Sequence, residues 1–209
     1  MKVDLEDVSY WMDAIRNSED RYRTLESFWK GQLQSKVWLV QNLERYYANT
    51  SPCIAIHGGW NGVLASLLFN SSIHPRYITS IDLDPKCENI SNTVNRKYKT
   101  VGKFNSVTAD MTIYEYSCEE KWPPTVDIVI NTSCEHITQK QYNKWLGLQP
   151  DNVFLVLQSN NFFGLNEHIR CAKTLDHFIK QSNINTIFTG TYNTEKYDRF
   201  MIIGKKRSS

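Results

Sequence analysis

The segment from Cys53 to Phe69 places a cluster of glycines between two apolar runs. The first run is short, and the second begins after Gly62 with the spacing of a helix rather than the alternation of a strand. Glycine lets the backbone approach a ligand closely, and the first turn of a helix offers N–H groups that have no intrahelical partner. The segment therefore predicts a strand, a tight turn and a helix whose start can bind a ligand.

An acidic residue follows the next apolar run. That run, Tyr77–Ile81, predicts a second strand, and Asp82 comes directly after it, twenty residues beyond Gly62. In nucleotide-binding folds an acid at this place binds the neighbouring hydroxyl groups of a ribose. A glycine turn and an acid in this order therefore indicate a ligand that contains a ribose.

Composition limits the class of protein. The 209 residues, of which 41% are hydrophobic, suffice to bury one core, and a net charge of +2 does not demand a polyanionic partner. The N-terminal residues lack an apolar signal core and no apolar run is long enough to cross a membrane, so we expect a soluble protein without a membrane partner. Scattered cysteines without a C-x-x-C pair favour reduced thiols and a cytoplasmic location. The five cysteines are Cys53, Cys87, Cys118, Cys134 and Cys171.

The pattern of the sequence changes near residue 50. Residues 1–50 carry apolar positions at intervals of three and four, which predicts a helical cap in two or three pieces. Residues 51–209 alternate between strand and helix patterns, which predicts a mostly parallel sheet covered on both faces. The predicted strands are Cys53–Ile56, Tyr77–Ile81, Ser106–Ala109, Val126–Ile130, Val153–Leu157, Thr186–Thr189 and Arg199–Ile203. Helices are predicted after Gly59, after Pro85, after Thr138 and over about residues 166–181.

Polar residues follow five successive predicted strands. Each of them alone is explained by the capping of a helix or the closing of a turn. Because ligands of open parallel sheets bind beyond the carboxyl ends of the strands, the whole series favours a shared ligand site. The five polar groups begin at His57, Asp82, Asp110, Asn131 and Gln158.

These motifs, in this order, resemble those of the class I S-adenosylmethionine-dependent methyltransferases. The resemblance covers about residues 52–204 and implies an α/β, Rossmann-like, doubly wound fold. Its mostly parallel seven-stranded sheet would have an antiparallel last strand, and the helical cap would precede it. The matching segments are residues 57–62 (glycine-rich first motif), 78–85 (second strand and its acid), 107–111 (third strand end), 126–131 (fourth strand) and 199–204 (final strand).

The resemblance implies S-adenosylmethionine as the cofactor. Asp82 would hold its ribose, Asp110 and Met111 would bound its adenine, and the glycine loop would pass beneath its methionine part. Lys36, in the helical cap, either reaches the cofactor carboxylate or is a solvated lysine on an amphipathic helix. The implied cofactor-binding residues are Lys36, Gly58, Gly59, Trp60, Asn61, Gly62, Asp82, Leu83, Asp110, Met111 and Asn131.

The first motif departs from the family pattern in two places. The usual acid two residues before the first glycine is absent, since Ile56 or His57 stands there, and Trp60 replaces the central glycine. Trp60 either packs against the sheet or lines the pocket. We therefore expect the contacts to the amino group of the cofactor to be rearranged.

Residues 131–136, after the fourth predicted strand, carry the candidate catalytic groups. Methyl transfer to an amine or a hydroxyl requires removal of a proton, which the Glu135 carboxylate or the His136 imidazole can perform. The alternative is a helix start, with Glu135 favoured by the helix dipole and His136 packed behind the loop. The amino-methylating DNA enzymes of the family carry Pro-Pro at this strand end, whereas Asn131 is followed here by Thr-Ser.

The same segment offers potential metal ligands. Cys134, Glu135 and His136 can in principle meet His168 and Cys171, which are three residues apart on a predicted helix face. Because a single His-x-x-Cys pair more often consists of one surface and one core residue, no metal is predicted.

The sequence predicts an S-adenosylmethionine-dependent methyltransferase that acts on a small-molecule acceptor. A nucleic-acid acceptor stays open, although the available basic residues form no strip interleaved with aromatic residues. A nicotinamide-dependent oxidoreductase shares the glycine turn and the acid, and a noncatalytic cofactor-binding module would explain the altered first motif. The acceptor and the oligomeric state do not follow from the sequence. The basic residues are Arg45, Lys97, Lys99, Lys103 and Lys205 to Arg207.

Overall fold

A computed structural model describes residues 2–116, 126–151 and 153–207. The predicted thiol of Cys118 lies outside these ranges. None of the described helices is both long and apolar enough to cross a membrane. The helices are α1 (Leu5–Asn17), α2 (Arg21–Glu26), α3 (Lys30–Tyr47), α4 (Val63–Phe69), α5 (Pro85–Val94), α6 (Arg96–Thr100), α7 (Gln139–Leu148) and α8 (Leu175–Ser182). The strands are β1 (Cys53–His57), β2 (Tyr77–Asp82), β3 (Phe104–Thr108), β4 (Ile128–Asn131), β5 (Phe154–Asn160), β6 (Ile184–Asn193) and β7 (Asp198–Lys206).

The strands form a seven-stranded sheet in the order β3-β2-β1-β4-β5-β7-β6. β1 pairs with β2, β2 with β3 and β4 with β5 in parallel, whereas β7 is antiparallel to both β5 and β6. β1, β4 and β5 are buried along their whole length, as expected for apolar strands that are covered on both faces. The predicted α/β fold, with a mostly parallel sheet and an antiparallel last strand, is confirmed.

The chain divides into two compact units, Met1–Asp110 and Met111–Ser209. In the first unit the predicted helical cap consists of α1, α2 and α3, and it packs against the elements that follow β1. The Trp11 Nε1–H donates to Ser66 Oγ of α4 at 3.1 Å, and the Ser72 backbone N–H donates to Glu44 Oε1 of α3 at 2.9 Å. The cap thus shares one compact unit with β1–β3, and a domain boundary between residues 50 and 51 stays a prediction.

The second unit has large aromatic side chains in its core. Tyr142 and Trp145 of α7 and Phe178 of α8 are fully buried. The Tyr142 hydroxyl donates to the Ser182 carbonyl at 2.8 Å, which joins α7 to the end of α8. α7 begins, as predicted, after Thr138, because the Thr138 hydroxyl accepts from the backbone N–H three residues on in a capping box.

The helix predicted over about residues 166–181 is shorter in the structure, where α8 begins at Leu175. The first half of that prediction is wrong, because tertiary hydrogen bonds replace helical ones in this segment. The Arg170 N–H donates to the Glu135 carbonyl at 3.0 Å, far from its own position in the chain. Thr174 then caps α8 with its side chain and so sets the point at which the helix starts.

The four described cysteines are buried, and no disulfide forms among them. Burial raises the pKa of Cys87 and of Cys134 to about 12, and that of Cys171 to about 11. These three thiols are therefore protonated at neutral pH and weakly nucleophilic, and their reduced state stays a prediction.

Substitution of Gly62 by alanine tests how tightly the turn after β1 is packed. Its φ is +72°, and an added Cβ would lie 2.3 Å from Ser91 Oγ and 2.6 Å from Asn95 Nδ2. We expect Gly62→Ala to lower the free energy of unfolding by about 1–3 kcal/mol, because both the left-handed backbone and the lack of space oppose a side chain. Urea unfolding measures this change. Gly147→Ala is the control, since nothing lies within 4 Å of its added Cβ, and an equal loss in both variants would contradict the prediction.

Candidate functional site

Residues 58–62 form the tight turn between β1 and α4. Gly58, Trp60 and Gly62 have φ angles of 67°, 48° and 72°, so the backbone enters the left-handed region three times. The Gly59 N–H donates to the Ile81 carbonyl at 3.0 Å and thereby attaches the turn to the end of β2. The strand, turn and helix expected for this segment are all present.

Asp82 ends β2 beside this turn and is half-buried. Its Oδ2 accepts from the Trp60 N–H at 2.8 Å, and its Oδ1 accepts from the Asp84 N–H at 3.0 Å. Each oxygen retains a further acceptor position, because an ionised carboxylate offers about four lone-pair sites. Leu83, the next residue, is 70% exposed. This edge of the first unit can therefore accept hydrogen bonds from the hydroxyl groups of a ligand and cover an apolar part of it.

Asn61 is a buried polar residue of the same turn. It is 2% exposed, and neither side-chain polar atom has a hydrogen-bond partner among the described residues. A buried amide without partners costs about 1–3 kcal/mol, so a ligand or a water molecule is needed to satisfy it. Asn61 also lines a cavity of about 440 Å³ whose other walls come from α1, α2 and α5 and from the loop between α1 and α2. None of the other predicted cofactor-binding residues lines this cavity.

Lys36 of α3 lies next to Trp60. Its Nζ is 5.9 Å from the centre of the Trp60 ring, within cation–π range, and it donates to Gln32 Oε1 at 2.9 Å. Trp60 is half-buried, so part of its ring packs and part stays accessible. The fold thus brings Lys36 to the glycine turn from a position more than twenty residues earlier in the chain.

The remaining predicted cofactor-binding residues follow β3 and β4. Asp110 and Met111 are half-buried. Asn131 is fully buried. Its Oδ1 accepts from the Ser133 N–H at 2.9 Å, and its Nδ2 lies 3.5 Å from Met111 Sδ. The Asn131 side chain therefore closes the turn after β4 and supports Met111, which leaves it little surface for a ligand.

Glu135, one of the two predicted catalytic residues, is a buried carboxylate in the second unit. It is 2% exposed, and its Oε1 accepts from Arg199 Nη1 and from Asn160 Nδ2, each at 2.6 Å. Arg199 also donates to the Thr132 carbonyl at 2.6 Å. Glu135 Oε2 has no hydrogen-bond partner among the described residues. One oxygen is therefore held by an ion pair and an amide, and the other is available.

His136, the other predicted catalytic residue, is exposed and ends the short 3₁₀ helix Cys134–His136. Partial burial of its ring lowers the pKa of the imidazole from its ordinary value, which favours the neutral form. The centres of the His136 and His168 rings are 4.8 Å apart. The sequence spacing predicted that His168 lies on a helix, but it lies in the irregular segment before α8.

The sequence-based site prediction missed two residues that contact Glu135, namely Arg199 and Asn160. Arg199 is 64 residues from Glu135, and a single arginine at the start of a strand carries no signal of that contact. Asn160 belongs to the polar stretch after the fifth predicted strand, whose run of Ser and Asn residues was the one available signal.

Arg199→Ala tests the energetic weight of the buried ion pair. Removing Arg199 leaves the Glu135 charge buried without its counter-charge, so we expect the free energy of unfolding to fall by about 3–5 kcal/mol. Arg23→Ala is the control, because the side chains of the ion pair between Arg23 and Asp84 are 38% and 33% exposed, so the pair is partly solvated and should contribute about 1 kcal/mol or less. Denaturant unfolding of the two variants gives the comparison. Equal losses would show that burial does not set the strength of the Glu135 pair.

The burial of His57, at the end of β1, should make the free energy of unfolding depend on pH. Burial lowers the pKa of His57 to about 3, whereas the unfolded chain has a histidine pKa of about 6.5. Below pH 6.5 the unfolded state therefore binds more protons, and stability falls by up to about 1.4 kcal/mol per pH unit until the pH nears 3. Unfolding free energies of wild type and His57→Gln between pH 7 and pH 4 should diverge, with the flatter curve for the variant. The exposed His74→Gln is the control, and a His57→Gln curve parallel to wild type would contradict the assignment.

The sequence matches no protein-family model and no curated protein significantly. Solved structures are similar in fold. The N-methyltransferase NodS from Bradyrhizobium japonicum, in complex with S-adenosyl-L-homocysteine, has a TM-score of 0.65 and 12% identity, over 95% of this chain and 99% of NodS.

Two further structures show the same similarity. The magnesium protoporphyrin IX methyltransferase ChlM from Synechocystis, with bound S-adenosylmethionine, has a TM-score of 0.64 and 12% identity, over 99% of this chain and 100% of ChlM. TrmK from M. capricolum, in complex with the cofactor product S-adenosyl-homocysteine, has a TM-score of 0.56 and 16% identity, over 81% of this chain and 69% of TrmK. The chain therefore has the fold that these S-adenosylmethionine-dependent methyltransferases share, and the resemblance seen in its sequence is confirmed at the level of the fold.

Proposed function

We propose that this protein is an S-adenosylmethionine-dependent methyltransferase. The position of β7 carries the proposal: it is antiparallel and lies between β5 and β6. Dinucleotide-binding folds have the strand order 3-2-1-4-5-6 without this insertion, so the strand order favours a methyltransferase over a nicotinamide-dependent oxidoreductase. The similarity to NodS and ChlM over at least 95% of this chain supports the same choice.

The residues of the first unit fit the cofactor. Asp82 has acceptor positions left for two ribose hydroxyls, and Leu83 offers an exposed apolar side chain beside it. The buried Asn61 amide lacks partners and would gain them from a bound polar group. Lys36, whose Nζ lies 5.9 Å from the centre of the Trp60 ring, is beside the glycine turn, and its ammonium group would attract the cofactor carboxylate. It does not replace the missing first-motif acid, which would contact the cofactor amino group.

The second unit supplies the groups proposed to act on the acceptor. The bound cofactor would supply a methyl group on a positively charged sulfur. His136 is exposed, and burial of part of its ring lowers the pKa of the imidazole, so its neutral form can accept the proton that an amine or hydroxyl loses as it is methylated. Glu135 is less suited to that role, because protonation would break its ion pair with Arg199. We therefore assign proton acceptance to His136 and positioning to Glu135.

A small molecule is the proposed acceptor. Solved methyltransferases of this fold include one named for magnesium protoporphyrin IX, a small molecule. Two of the basic residues that a nucleic acid would need form ion pairs within the protein: Lys97 is paired with Asp4 and Glu6, and Lys206 with Asp151. These pairs reduce the charge available to a phosphate backbone.

Thermal unfolding in the presence of the cofactor tests the proposal. We expect S-adenosylmethionine and S-adenosyl-homocysteine to raise the melting temperature in a concentration-dependent way, because each binds the folded state alone. Reduced nicotinamide dinucleotides serve as the comparison and should give no shift. Stabilisation by the nicotinamide compound and by neither methionine compound would overturn the proposal.

Asp82→Ala tests the assignment of the ribose site. Loss of the carboxylate removes charged hydrogen bonds to the ribose, so we expect S-adenosyl-homocysteine to bind about 10- to 100-fold more weakly, equivalent to about 1–3 kcal/mol. Isothermal titration calorimetry measures the affinity. Asp176→Ala, at an exposed acid of α8, is the control for a general charge effect. Unchanged affinity in Asp82→Ala would refute the assignment.

A further inference from the structure

Glu135, His136 and His168 bring metal-ligating atoms together within the second unit. One carboxylate oxygen and one ring nitrogen from each histidine all lie within 4.8 Å of one another. Two ligands that are each about 2.1 Å from one ion are at most about 4.2 Å apart, so small side-chain rotations bring all three into one coordination sphere. From this geometry we infer that the three residues bind a divalent transition-metal ion.

The carboxylate of Glu135 has one oxygen that can bind a cation. Arg199 and Asn160 both donate to Oε1, and Oε2 is buried without a partner among the described residues. A buried carboxylate oxygen that lacks a donor is costly, and a bound cation would satisfy it. The ion pair with Arg199 holds the side chain in place, so that Oε2 is presented in one orientation.

His168 has the outer hydrogen bond that metal-binding histidines commonly make. Its Nδ1 lies 2.7 Å from the Phe162 carbonyl oxygen, which can only accept, so Nδ1 carries the proton and Nε2 has a free lone pair. The nearby Cys171 thiol is not a ligand in this arrangement. Its Sγ lies 3.3 Å from both Asn160 Oδ1 and the Phe162 carbonyl oxygen, so its one S–H donates to one of these oxygens at a time, and Sγ is 3.7 Å from His168 Nδ1.

The ligand set selects the class of metal. Two imidazoles and one carboxylate suit zinc, manganese or ferrous iron, whereas magnesium and calcium prefer oxygen ligands. Three protein ligands leave at least one position open for water or for another molecule. On the basis of the proposed function, the open position would take an oxygen or nitrogen of the acceptor and lower its pKa. With metal bound, His136 would be a ligand and would not itself accept the proton; the acceptor, made more acidic by the metal, would lose its proton to water.

Metal titration of the full chain tests this site without any cofactor. Manganese binding is followed by the electron paramagnetic resonance signal of free Mn²⁺, and cobalt binding by visible absorption. We expect one ion per chain, with binding weakened about 10- to 100-fold or more in His168→Gln and His136→Ala. Magnesium at the same concentration should compete poorly.

Melting curves without metal separate a loss of metal binding from a loss of folding. His168→Gln keeps a side-chain donor for the Phe162 carbonyl, and His136 is exposed, so both variants should fold, which their melting curves without metal will verify. His177→Ala removes a histidine of α8 outside the cluster and should bind metal like wild type. The inference is overturned if wild type binds no metal, or if His168→Gln and His136→Ala both bind it as tightly as wild type does. Metal binding without any stabilisation by S-adenosylmethionine would instead refute the proposed function and leave the metal site standing.

Discussion

The parallel register of β1 against β2 is the constraint on which the candidate site of the first unit depends. His57 is paired with Ile81, so the glycine turn and Asp82 leave the sheet side by side. Backbone N–H groups of the turn then bond to the end of β2, from Gly59 to a carbonyl and from Trp60 to the Asp82 carboxylate. A slip of one residue would turn every side chain of the strand to the opposite face, which explains why buried strands of this kind have a well-defined register.

The candidate site of the second unit depends on the buried ion pair between Glu135 and Arg199. Desolvation of an ion pair is costly and is offset only when the remaining donors and acceptors are satisfied. Arg199 meets part of this condition through the Thr132 carbonyl, although its Nε is buried without a partner among the described residues. The carboxylate of Glu135 likewise meets part of it through Asn160 and leaves Oε2 unsatisfied. Arg199 belongs to β7, the antiparallel strand that distinguishes this sheet from dinucleotide-binding sheets. The strand that characterises the fold thus also supplies the counter-charge for the segment proposed to act on the acceptor.

Sequence patterns predicted the elements well where the local signal and the tertiary environment agree. The strand, turn and helix around Gly62 and the start of α7 at Thr138 are local features, since glycine conformation and capping need only a few neighbouring residues. The prediction for residues 166–174 failed, because helical spacing there competes with hydrogen bonds to distant segments, such as that from Arg170 to Glu135. Hydrogen bonds of this kind, and not helical spacing, bring His168 near His136.

The sequence by itself determined the α/β class, the order of the elements and the strand ends at which polar residues collect, because hydrophobic periodicity and turn chemistry act over short distances. Only the tertiary structure decided which of those polar residues are available to a ligand. It turned Asn131 inward, left the Asn61 amide without partners among the described residues, and paired Glu135 with Arg199 across 64 residues of chain. Burial and long-range pairing depend on how the elements pack, and no pattern of neighbouring residues encodes that packing directly.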